Sequence, residues 1–210
     1  MNFIGHAAVA LWQRADPSFV LGSMLPDFAG MAGQRMAPAR ADADPGLAAG
    51  VALHHRTDEV FHAAPEFVAL QQRVLDTLTP LGVPRGTSRA VGHIGTEMLI
   101  DGELLAEKAL GDAYLRALGA DVALDGVFPS EGALTKLARL RVRLTDHGVP
   151  YDYADPDAVL QRLQFVLARR PRLAIAEPSA PHVRQLLPGL QRDVRAALPA
   201  LLASVRRGLG

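Results

Sequence analysis

The chain contains no cysteine, which removes disulfides, thiolate metal ligands and cysteine nucleophiles together. Any metal must therefore take nitrogen and oxygen donors from His, Asp and Glu. An excess of charge is missing too: 22 Lys and Arg balance 22 Asp and Glu, so no global basic field recruits nucleic acid or an acidic lipid surface. No apolar run approaches the roughly 20 residues of a membrane span, and the N-terminus lacks the cationic segment of a secretory leader. The expectation is a soluble, cytoplasmic protein. Aromatic residues make up only 5% of the chain while Ala, Leu and Val dominate, which favours packed helices over a sheet. There is no Walker or dinucleotide glycine motif, no nucleophile elbow, no internal repeat and no low-complexity tract. With 210 residues and no long linker, the expected fold is all-α, one helical bundle of about seven to eight helices spanning residues 1–210.

What the chain does have is a stretch, Leu53 to His62, that packs three histidines and two carboxylates into ten residues. Residues four apart lie one above another on a helix, so His54, Asp58 and His62 form one line that continues the apolar stripe of Leu47 and Val51. The line should point inward, with His55 and Glu59 on the solvated side. A carboxylate and imidazoles aimed into a core cost several kcal/mol unless they pair or bind something. Either an Asp–His hydrogen bond satisfies them or a divalent metal does.

Helix signals order the rest. Residues 3–14 are apolar nearly all round, so His6 is internal, bonded to a backbone carbonyl or to a metal. In the next segment Pro26 disfavours an uninterrupted helix. Asp27, the only charge between Asp16 and Arg35, is a helix cap at Phe28 or a ligand. Residues 32–43 read as a loop. Asp44-Pro45 and Asp155-Pro156 are capped helix starts, Pro65 breaks the central helix, and PEFVALQQRVLDTL is amphipathic. A long helix follows over residues 88–110, and on it His93, Glu97 and Asp101 repeat the four-residue spacing between apolar neighbours. That line is either paired with arginines or ligates a metal. Ser130 and Gly148 bracket another helix, and in the final one Pro188 and Pro199 should kink or break the chain.

Five of the seven histidines lie in the first 93 residues, each at a helical position with a carboxylate in reach. His6, Asp27, His54, Asp58, His62, His93, Glu97 and Asp101 supply enough N/O donors for two or more divalent ions, with Mn²⁺, Zn²⁺, Fe and Mg²⁺ all compatible. Such an ion lowers the pKa of bound water and clamps a phosphoryl oxygen, which suits hydrolysis of a phosphoester. A spare His or carboxylate protonates the leaving group.

MNFIGH, LGSMLPDF, GVALHHRTD and the late ARRPRL, in this order, resemble the acyl carrier protein phosphodiesterase family. The resemblance implies an HD-domain-like helical fold and a divalent cation, typically Mn²⁺. It also implies release of 4′-phosphopantetheine from acyl carrier protein as the reaction and partner. Carried over, His6, Asp27, His54 and Asp58 match the metal pattern, and Glu97 and Asp101 fall on its acidic pair. His54, Asp58 and His62 would act in catalysis. Arg169, Arg170 and Arg172 match the late basic motif and, with Arg56, are the expected phosphate ligands. Three positions depart: Gly102 stands where the family has a histidine, His62 where it has an aspartate, and His93 is additional. The paired H-x-x-x-D and H-x-x-x-E spacings are also similar to zinc-dependent phospholipase C and its nuclease relatives. A helical binding protein without catalysis is the alternative from another class.

Overall fold

A computed structural model describes all of residues 1–210, and it is all-helical, with no strand. No helix is long and apolar enough to cross a membrane. The contacts divide the chain into two compact units, each made from two separated stretches: residues 1–58 with 104–150, and residues 59–103 with 151–210.

In the first unit, α1 (Phe3–Leu11) is buried from Phe3 through Ala10. It packs on α2 (Pro17–Met31), whose N-terminus Asp16 caps by accepting from the Phe19 amide at 3.1 Å. Phe3 lies against Phe28 and Tyr114, with ring centroids 5.6 and 5.8 Å away, which ties α1 and α2 to α7 (Lys108–Leu118). Beyond α7, α8 (Glu131–His147) runs from its Ser130 cap to Gly148, whose φ of 76° suits glycine. α3 (Pro45–Ala63) begins where Asp44 accepts from the Leu47 amide at 2.8 Å. Its approach to α2 is set by glycine. A Cβ on Gly22 would collide with the Leu47 carbonyl, and one on Gly50 with the Phe19 carbonyl. The two backbones therefore touch, and side chains one turn on are held at short range.

Pro26 does not interrupt α2. Proline inside a helix costs about 3 kcal/mol, but α2 buries Phe19, Val20, Leu21, Met24, Leu25, Phe28 and Ala29. At roughly 1.5–3 kcal/mol for each large apolar side chain, that burial outweighs one lost bond and one clash.

The second unit holds α4 (Pro65–Leu78), α5 (Arg85–Ala90), a π-helical turn (Val91–Gly95) and α6 (Thr96–Leu104). α9 (Pro156–Ala168) and α10 (Ala180–Leu209) complete it. The helix expected over 88–110 starts earlier and stops at Leu104, where the chain leaves this unit. Its middle is wider than an α-helix because Gly92 and Gly95 let the π turn settle against neighbours. A Cβ on Gly92 would lie 3.3 Å from the Gln71 carbonyl, and one on Gly95 3.3 Å from Leu163. α10 runs unbroken through Pro188 and Pro199. Both prolines are exposed, and the carbonyls they leave without a helical donor belong to Arg184 and Arg195, which are also exposed, so water can bond them. Its buried stripe, Val183 to Val205, is what holds α10 down.

Replacing Gly50 by Ala should lower stability by about 1–3 kcal/mol, the usual range for overpacking, and lower the urea midpoint accordingly. Gly30→Ala, on the same α2–α3 pair's exposed side with nothing within 4 Å of its Cβ, should instead leave the midpoint unchanged or raise it.

Candidate metal centre

The close α2–α3 approach places the Ser23 carbonyl 2.8 Å from His54 Nδ1. A carbonyl only accepts, so Nδ1 carries the proton and donates it, and Nε2 is left with its lone pair. That lone pair faces Asp58, one turn along α3, whose Oδ2 is 3.4 Å away. From α1, His6 stacks on the His54 ring with centroids 3.8 Å apart and planes at 23°, and its Nε2 lies 3.2 Å from Asp58 Oδ1. The distance is short, yet neither ring nitrogen of His6 makes a directed hydrogen bond. Buried polar atoms are normally bonded. The Met1 ammonium completes the surroundings by donating to Asp58 Oδ1 at 2.9 Å.

Electrostatics follow from that geometry. Burial pushes the His6 imidazole down to about 3, against the upward pull of Asp58, so at neutral pH it is uncharged as a ligand must be. Burial alone would raise the Asp58 carboxyl, but the His54 and His6 imidazoles beside it and the nearby ammonium hold it far below the usual carboxylate range. The result is a neutral His6 imidazole beside an ionised carboxylate, with the His54 ring stacked on it. Bonds of about 2.1 Å to one divalent ion put neighbouring donors roughly 3.0–3.4 Å apart for octahedral to tetrahedral geometry. His6 Nε2 lies 3.2 Å from Asp58 Oδ1 and His54 Nε2 3.4 Å from Asp58 Oδ2, both inside that range, and all three ligand atoms lie within 4.8 Å of one another. Both histidines are buried while the Asp58 side chain keeps 32% of its surface exposed, so the trio opens on the carboxylate side.

A second trio stands in the other unit. His62 Nε2 and His93 Nε2 lie 3.1 and 3.3 Å from the same oxygen, Glu97 Oε1, and the two rings stack at 4.9 Å. Burial would raise Glu97, but the hydrogen bond from His62 leads the opposing contributions and the carboxyl stays below its ordinary value. Here the support is reversed in sense. The Gln71 side-chain amide donates to His93 Nδ1 at 2.9 Å, which leaves the ring proton on Nε2, pointing at Glu97. With the amide so oriented, this trio is a hydrogen-bonded array around a carboxylate. Turning the amide over would make it a second N/N/O set, and its ligand atoms are close enough, all within 4.8 Å of one another.

Of the expected metal ligands, the structure thus brings His6, His54 and Asp58 together in the first unit, and His93 and Glu97 together with His62 in the second. Asp27 and Asp101 join neither trio. Asp27 is not a cap, because α2 continues past it, and Asp101 is fully buried within α6. His55 and Glu59 are exposed, as their face of α3 requires. Gly102 has room for nothing larger, since the Tyr153 carbonyl sits where its Cβ would be. The histidine that the resembled family carries there cannot be accommodated on this backbone. Among the expected phosphate ligands, Arg56 and Arg172 are exposed and Arg169 lies over the Phe165 ring at 5.6 Å. Arg170 alone lines a cleft, of about 640 Å³, with Arg89 and His93. Sequence reasoning did not single out Ser23, Gln71, Met1 or Arg89. Only Arg89 left a signal, standing four residues before His93.

In chelator-treated protein the buried neutral His6 should make the fold acid-labile. Its folded value, about 3, is depressed from 6.5, so its contribution is full above pH 6.5 and is lost as pH falls toward 3. Asp58, also depressed, loses its contribution only below the ordinary carboxylate range. Stability should therefore fall by about 2 kcal/mol between pH 7 and pH 5, as read from urea midpoints, and His6→Gln should flatten that dependence.

Compared with protein-family models, with curated proteins and with solved structures, the chain finds no match, so its function is read from the geometry above.

Proposed function

We propose that the protein is a divalent-metal-dependent phosphodiesterase whose cation is held by His6, His54 and Asp58. The observation that carries this reading is the His6 imidazole, buried with neither nitrogen in a directed hydrogen bond and 3.2 Å from an ionised carboxylate. An imidazole so placed costs several kcal/mol if nothing binds it. Coordination gives the ring the partner that the protein itself does not provide.

A cation there would lower the pKa of bound water and offset charge on a phosphoryl oxygen. The chain's own part is to keep the His6 imidazole neutral, to aim His54 Nε2 through the Ser23 carbonyl, and to present Asp58 as a carboxylate at neutral pH. Three protein donors leave coordination positions for water and substrate, as catalytic sites do. The all-N/O set suits Mn²⁺, with Zn²⁺, Fe and Mg²⁺ as alternatives. The sequence resemblance nominates the substrate: a phosphodiester such as the one joining 4′-phosphopantetheine to acyl carrier protein. His62, expected to act in the same chemistry, stands in the trio on Glu97.

A second reading, similar to zinc-dependent phospholipase C and its nuclease relatives, is favoured by the closure of both spaced pairs, His54–Asp58 at 3.4 Å and His93–Glu97 at 3.3 Å. It requires more than one cation per chain.

Protein purified without chelator should carry a divalent metal and hydrolyse bis-p-nitrophenyl phosphate with Mn²⁺ or Zn²⁺ present. His54→Ala and Asp58→Ala should lower kcat/KM by about 100-fold or more, since outer-shell changes alone cost 10–100-fold. No bound metal together with no turnover would remove the proposal, and metal content per chain separates the two readings.

A further inference from the structure

The second unit contains a feature that the phosphodiesterase reading does not use. It is the cleft of about 640 Å³ between α4, α5, the π turn and the turn after α9, a volume typical of small-molecule sites. Its walls are apolar, formed by Val68, Leu75, Ile94 and Leu173, and at its polar side stand Arg89 and Arg170. No carboxylate lines it. Neither arginine has an ion-pair partner, although Arg73, Arg162, Arg184 and Arg195 of the same unit each face an Asp or Glu. The cleft therefore concentrates positive charge in a chain whose formal net charge is zero.

The two guanidiniums are held from different directions by rigid backbone. Arg89 is on α5. Arg170 is in a tight turn, its carbonyl accepting from the Leu173 and Ala174 amides at 2.8 and 3.0 Å. That turn is fastened to α5 by the Thr87 hydroxyl, which donates to the Ala174 carbonyl at 3.2 Å. It is also pressed against Gly86, where a Cβ would lie 3.3 Å from the Arg172 carbonyl. The arginines' attachment points are thus fixed before any ligand arrives, which reduces the ordering cost of binding.

We infer that this cleft binds a small amphiphilic organic phosphate, its phosphate group between Arg89 and Arg170 and a short apolar body against Leu75, Ile94 and Leu173. Two planar forks lining one cleft from separate segments suit a doubly charged anion with three free oxygens better than a carboxylate, which one arginine already saturates. The apolar walls would contribute nothing to a bare inorganic ion, which argues for a ligand with a hydrocarbon portion. The inference does not depend on hydrolysis at His6, His54 and Asp58.

Titration calorimetry with hexylphosphonate, hexanoate and inorganic phosphate tests it on the full chain. Hexylphosphonate should bind saturably and at least about tenfold more tightly than either comparison ligand. Arg89→Gln and Arg170→Gln should each weaken it about tenfold or more, as expected for a charge-assisted bond, with thermal melting confirming that both variants fold. His54→Ala should abolish turnover of bis-p-nitrophenyl phosphate and leave this binding intact, so a failed hydrolase reading is distinguishable from a failed cleft. No saturable hexylphosphonate binding, equal binding of hexanoate, or binding unchanged in both arginine variants would overturn the inference. Retention of the protein on phosphatidic acid vesicles without binding of the soluble phosphonate would overturn it as well.

Discussion

Burying an imidazole without giving it a hydrogen bond is the constraint on which the first unit depends. α1 is apolar on every side and is covered almost completely, so His6 has no route to water. The cost is met by proximity to charge: an ionised Asp58 beside the ring, itself surrounded by the His54 imidazole and the Met1 ammonium. The contact that orients the His54 ring depends on how closely α2 and α3 approach. Gly22 and Gly50 remove the side chains that would hold the helices apart, and the Ser23 carbonyl then reaches His54 Nδ1. A backbone packing detail thus fixes a tautomer, and the tautomer decides which nitrogen faces the carboxylate.

The second unit uses the same plan with a different outcome. Again two imidazoles stack and turn Nε2 toward one acid, and again glycines let neighbouring backbone come close. What differs is the partner of Nδ1. A carbonyl can only accept, so it commits His54 to a free lone pair at Nε2. A side-chain amide can donate, and in donating to His93 it commits the ring to an Nε2 proton directed at Glu97. Two trios that look alike in composition are therefore unlike in chemistry. The first leaves a buried imidazole without a directed hydrogen bond, whereas the second is a hydrogen-bonded array around its carboxylate.

Much of this was legible in the sequence, and the reasons for the rest are physical. Asp-Pro pairs marked the starts of α3 and α9 because a carboxylate cap and a fixed φ act locally, within one turn. Four-residue spacing correctly joined His54 to Asp58 and His93 to Glu97, since one helix carries each pair. Proline misled at positions 26, 188 and 199 because its penalty is local while the burial that outweighs it, or the solvent that relieves it, is tertiary. Spacing also put Asp101 on the line of Glu97, and Asp27 stood among the candidates; both lie outside the two trios, because periodicity reports a helix face and not what that face meets. The Ser23 carbonyl was invisible in principle, as every residue has one.

Composition misleads in a further way at the cleft. Equal numbers of acidic and basic residues exclude a global field, and that argument holds at distances beyond the Debye length of about 8 Å. Within that distance only local pairing matters. In the second unit the acids are drawn to particular arginines, as with Arg195 and Glu103 at 2.8 Å or Arg73 and Asp193 at 2.7 Å, and this depletes the neighbourhood of Arg89 and Arg170 of compensating charge. Neutrality of the whole chain thus coexists with a cleft that two arginines and no carboxylate line.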